Sequence, residues 1–109
     1  MALPHAQPLD AIDIRPLGAG LRTAKTHSLI KTEKLQLMQV VLAAGQGLPE
    51  HRAPSEVTVQ CLEGEVEVAT PNRLCRLQAG EVVVLPADEP HAVLAHRDAT
   101  LLVTVLLHA

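Results

Sequence analysis

The 109-residue chain contains no phenylalanine, tryptophan or tyrosine. Sequence-tolerant binding of single-stranded nucleic acid uses aromatic platforms on which bases stack, and quaternary-ammonium cages use aromatic faces, so neither can be built here. Positive charge is also scarce. Nine Lys and Arg against twelve Asp and Glu give a formal net charge of −3, whereas a phosphate-backbone partner calls for a basic stripe. The charges are scattered and read as solvated faces. Apolar runs such as "LLVTVLL" (101–107) are far too short to span a bilayer as a helix. Neither a nucleic acid nor a membrane is expected as a partner. Cys61 and Cys75 make no disulfide framework, and "MALPHAQPLDAIDI" has neither the basic start nor the apolar stretch of a secretory leader. The expectation is a reducing cytoplasm with free, buried cysteines.

What the chain does have is aliphatic residues: its hydrophobic share is 48%, and none of it is aromatic. A chain of this length suits one domain, 1–109, and buries roughly 65% of its unfolded surface. Small Gly and Pro clusters cut it into short pieces. Between them lie β-rich runs: "LQLMQVVL" (35–42), "VTVQCL" (57–62), "EVEVAT" (65–70), "EVVVL" (81–85), "HAVLAH" (91–96) and "TLLVTVLL" (100–107). Such strands with turn signals between them predict an all-β fold of two packed antiparallel sheets, a sandwich or small barrel. Residues 1–33 read as an N-terminal arm or edge strands, and no segment keeps a helical period beyond a turn or two.

Alternation then assigns faces. From His51, every second residue (Ala53, Ser55, Val57, Val59, Cys61) shares one side, and Arg52, Pro54, Glu56, Thr58, Gln60 and Leu62 share the other. The first set is the apolar one and is expected to face inward, which puts His51 on the interior face. The runs 35–42 and 100–107 are largely apolar on both faces. An antiparallel sheet usually leaves one face solvated, so a second subunit is expected to cover the outer one as a homodimer.

The stretch "GQGLPEHRAPSEVTVQCLEG" (45–64) reads G-x5-H-x-A-x3-V-x6-G. Fifteen residues later, "GEVVVLPADEPHAVLA" (80–95) reads G-x5-P-x-D-x2-H-x3-A. Together they resemble the two motifs of the cupin family, G-x5-H-x-H-x3-E-x6-G and G-x5-P-x-[G/D]-x2-H-x3-N. The resemblance covers about half the chain and keeps every spacing. It implies a double-stranded β-helix of the RmlC-like, jelly-roll type. In that family a His-x-His pair, a glutamate and the second motif's histidine converge on one metal inside the barrel. Imidazole and carboxylate ligands suit Fe, Mn, Ni or Zn.

Of those four ligand positions the chain keeps His51 and His91; the second histidine is replaced by Ala53, the glutamate by Val57, and the final asparagine by Ala95. Two protein ligands are fewer than a closed or an ordinary catalytic zinc site uses. The replacements are small and apolar, widening and drying the pocket. Val59 and Cys61 continue the inward face. A Cys61 thiolate would be a third ligand, although an inward cysteine on a core strand is more often a small hydrophobe. Gln39 interrupts an apolar run and either points into the barrel or faces a loop or subunit boundary. Asp88 lies in the turn before His91, where an Asp usually bonds the local backbone. His96 is out of phase with His91, and the flanking His5, His27 and His108 are given no role.

Three functions fit these residues. The first is a small cupin binding a divalent metal or a small organic ligand through His51 and His91, with any activity unassigned. The second is a metal-free sensing module, its histidines donating hydrogen bonds to a carboxylate or carbonyl. The third is a structural dimer with a vestigial site.

Overall fold

Aliphatic residues alternate with polar ones in runs such as 57–62 and 65–70, and nine segments pair as strands in the computed structural model, which describes residues 5–107. They are β1 (His27–Lys31), β2 (Leu35–Leu42), β3 (Gly47–His51), β4 (Val57–Glu63), β5 (Glu65–Thr70), β6 (Arg73–Gln78), β7 (Val82–Leu85), β8 (His91–Ala95) and β9 (Ala99–Leu106). All pairings are antiparallel. One sheet has the order β1-β2-β9-β4-β7 and the other β3-β8-β5-β6. The expected all-β jelly roll is what forms. Among the described residues, a 3-10 turn over Gly18–Thr23 is the sole helical element, and no helix is long and apolar enough to cross a membrane.

The inner faces hold the core. Val57, Val59 and Cys61 of β4 are buried against Val66 and Val68 of β5, with Leu101 of β9 fully enclosed. The expected inward set on β4 therefore faces inward, but its counterparts Thr58 and Gln60 are half-buried rather than solvated.

Part of the cover on the outer face of β2 comes from the chain itself. Residues 5–26 run as an arm across the five-stranded sheet. Its anchor is Glu63, whose carboxylate accepts the Leu17 N–H at 2.7 Å, the Gly18 N–H at 3.1 Å and the Thr100 hydroxyl at 2.9 Å. Hydrogen bonds to an ionised acceptor are the stronger kind. Leu21 of the arm is buried and shares a cleft with Val41. The arm stops short of the other edge, β7, where Val82 and Val84 stay exposed.

Gly64 makes the turn from β4 to β5 with φ +85°, a left-handed conformation. A Cβ there would run into the Asp98 carbonyl oxygen and lie 2.8 Å from the Ala99 Cβ. Gly80 has a similar φ of +92° but open space around it. Gly80→Ala therefore tests the backbone strain alone and should cost about 1–2 kcal/mol, lowering Tm by roughly 5–10 °C. Gly64→Ala adds a clash with backbone and should lower Tm by roughly twice as much. Thermal melts followed by far-ultraviolet circular dichroism check the order; equal losses would show that the Asp98–Ala99 turn gives way freely.

Candidate functional site

β3 is an edge strand, which is why Pro49 is tolerated in it. It pairs with β8 so that His51 lies directly opposite His91, with a register irregularity between Leu48 and His51. Irregularities of this kind re-aim side chains. The two imidazoles meet edge to face, their centroids 4.3 Å apart and their planes at 62°. His91 is buried, while His51 is exposed at the rim and not enclosed as its place in the alternation suggests.

Each ring is braced in the same way. His51 Nδ1 lies 3.1 Å from the Pro49 carbonyl oxygen, and His91 Nδ1 lies 2.9 Å from that of Glu89, in both cases two residues back. A carbonyl only accepts, so each Nδ1 carries the proton and donates it. In the neutral rings both Nε2 atoms then hold free lone pairs. The turn over 86–90 that delivers His91 is itself tied down. Asp88 adopts φ +64°, and its backbone N–H donates to the Ala53 carbonyl at 2.7 Å, clasping the loop after His51.

Behind the histidines lies a cavity of about 340 Å³ between the sheets. Ala53, Val57 and Val59 line it, together with residues the motifs did not mark: Met38 and Val40 of β2, Leu48 of β3, Val93 of β8, and Leu101, Val103 and Val105 of β9. Alternation carried the signal for these, since 38/40 and 101/103/105 each share a face. Thr26, at the end of the arm, adds a hydroxyl occupied with the Val41 backbone.

Two expected pocket residues lie elsewhere. Gln39 is buried on the opposite face of β2 from Met38 and Val40, in a groove with Asp13, Arg15 and Leu17 of the arm. Cys61 does face inward, but beyond the cavity, where its Sγ donates to the Glu63 and Gly64 carbonyls at 3.4 and 3.6 Å. It is fully buried, and desolvation pushes its thiol up, so at neutral pH it is a thiol. His96 pairs with Glu67 on the outside, His27 Nδ1 donates to the Lys25 carbonyl, and His5 is exposed. His108 lies outside the described residues.

The geometry defines a class: a small double-sheet jelly roll with a histidine-rimmed interior cavity. The family model for the cupin domain matches residues 38–107, and the chain belongs to the cupin family. Its fold is similar to that of a cupin superfamily protein from Desulfitobacterium hafniense (20% identity over 99% of this chain and 97% of that one, TM-score 0.77). It is also similar to a conserved protein of unknown function from Streptococcus pyogenes (20% identity, 100% and 96% covered, TM-score 0.76). An RmlC-like cupin from Desulfovibrio desulfuricans is 25% identical over 96% of this chain and 97% of that one, with TM-score 0.70. No curated protein sequence matches the chain.

The metal implied by the family meets a reduced donor set here. Among the described residues no three His, Cys, Asp or Glu side chains stand together as a metal site. Two neutral imidazoles fall short of the three or four protein ligands of a resident zinc.

The two cysteines should differ in reactivity, because the thiolate is the nucleophile and access limits it. Cys75 is half-buried and Cys61 sealed. Titration of the native protein with a disulfide reagent should modify one thiol readily, identified as Cys75 by peptide mass, and the second only after denaturation. Rapid reaction of Cys61 in the native state would show that the core seal opens.

Proposed function

We propose that this cupin is a binding protein for a small molecule held in the barrel, with His51 and His91 as the polar end of an otherwise aliphatic cavity. The observation that supports this reading is the paired bracing of Nδ1 on backbone carbonyls, which leaves the two Nε2 atoms as the groups available to a guest. Concave, mostly apolar pockets with a few placed polar groups are the usual form of small-molecule sites. No reaction is assigned. The same lone pairs favour a second reading, in which the pair holds an exchangeable divalent metal (Fe, Mn, Ni or Zn) with water completing its shell, because a braced Nδ1 is the usual second contact of a metal-bound histidine. Free cysteines fit a reducing cytoplasm.

A second copy of the chain is the proposed partner. Thr58, Gln60, Val82, Val84, Leu102 and Thr104 alternate with the inward-facing residues of β4, β7 and β9, and none is charged. Such a face can meet itself across a twofold axis without like-charge repulsion.

Elemental analysis and native mass spectrometry of untagged protein, purified without chelator, test both readings. Bound mass or metal should be lost in His51→Ala, in His91→Ala and in the double variant to nearly the same extent, since residues sharing one guest are coupled. Retention in the double variant would leave the histidines without a role. In the same spectra the wild type should run as a dimer and Val84→Lys as a monomer; a dimer unchanged by both Val84→Lys and Leu102→Lys would place the interface elsewhere.

A further inference from the structure

The cavity has a chemical character that goes beyond its capacity to hold something. The inference rests on the small-molecule reading above and narrows it to a class. Apart from the two histidines and Thr26, every side chain lining the cavity is an alkyl group or a thioether. The Thr26 hydroxyl is already engaged, accepting the Val41 N–H at 2.8 Å. A guest carrying several polar groups would bury most of them unpaired, at about 1–3 kcal/mol each. That argues against sugars and polyhydroxy acids. The volume, about 340 Å³, lies near the lower end of small-molecule pockets.

The head group follows from the bracing. With both Nδ1 protons committed to the Pro49 and Glu89 carbonyls, the neutral rings have no N–H left for a guest. What remains is two acceptor nitrogens on rings 4.3 Å apart, one ring buried and the other at the rim. This reverses the polarity of the donor histidines expected for a carboxylate-sensing module. The complementary head donates hydrogen.

We propose that the barrel takes a short aliphatic molecule with a single hydrogen-donating head, a primary alcohol or a primary ammonium, seated with the head on Nε2 of His51 and His91 and the alkyl chain against Met38, Val59 and Val103.

Isothermal titration calorimetry at neutral pH, with metal-free wild-type protein, tests this directly. The probes are hexan-1-ol and hexylamine, against hexanoate (no donor), hexyltrimethylammonium (charge without an N–H) and glucose (many polar groups). The two donors should bind about tenfold more tightly than hexanoate or the quaternary ion, the size of one lost hydrogen bond, and glucose should not bind. His91→Ala should erase the preference. Ala53→Leu, which fills the cavity from a loop position, should abolish binding of all probes while a thermal melt shows the fold intact; Val57→Leu does the same from β4 if Ala53→Leu unfolds. Tighter binding of hexanoate or glucose that the filling variant still blocks would overturn the class and leave the small-molecule reading standing. Equal binding of hexylamine and the quaternary ion would overturn the head-group assignment. No binding by any probe, or binding untouched by both filling variants, would overturn the class together with that reading.

Discussion

The two sheets are held face to face by aliphatic and sulfur-bearing side chains with no aromatic ring among them. Packed sheets stand about 10 Å apart. The chain has no phenylalanine, tryptophan or tyrosine to bridge such a gap with one side chain. Toward β6 the gap closes, with Cys61, Val66, Val68 and Leu77 all buried. Toward β3 the cavity remains open between Val57, Val59, Val93 and Val103, with Met38, Leu48 and Leu101 also lining it and Ala53 in the loop. Ala53 and Val57, where the motif that the chain resembles has histidine and glutamate, leave this end of the cavity uncharged and aliphatic.

The strands that the sequence made legible are mostly the ones buried in the middle of each sheet. The runs 35–42, 57–62, 65–70, 91–96 and 100–107 all correspond to strands with neighbours on both sides, β2, β4, β5, β8 and β9. The two strands that were not anticipated, β3 over Gly47–His51 and β6 over Arg73–Gln78, are edges, as is β1 over His27–Lys31, which falls in the segment 1–33 read as an arm or edge strands. An edge strand has fewer apolar neighbours to satisfy and tolerates Pro49, Lys31 or Arg76, which blurs its pattern. The glycines that anchor the two motifs are clearer still: Gly45, Gly64 and Gly80 all have positive φ.

The candidate site was legible as spacing and illegible as chemistry. Motif spacing indicated His51 and His91 as a pair, and they do face each other across one strand pair. Alternation could not say that Gln39 belongs to the outer face, because β2 is apolar on both sides and only pairing with β9 decides which way it turns. Nor could it show that the arm covers part of that outer face, since the Glu63 anchor joins residues 45 or 46 positions apart. The hydrogen-bonding polarity of the histidines depends on backbone carbonyls, which have no signature in the side-chain sequence.

The placement of β9 has a consequence for how the chain reaches this state. β9 is the last of the described strands in chain order, yet it lies at the centre of the larger sheet, bonded to β2 on one side and β4 on the other. Until residues 99–106 are available, β2 and β4 cannot be joined, and the arm's anchor on Glu63 lacks its Thr100 contact. The four-stranded sheet, built from the nearer segments β5, β6 and β8 with β3 at its edge, can pair earlier. Non-local pairing of this kind slows folding and leaves strand edges unpaired meanwhile. The cavity, lined in part by Leu101, Val103 and Val105 of β9, therefore closes only when that strand has paired between β2 and β4.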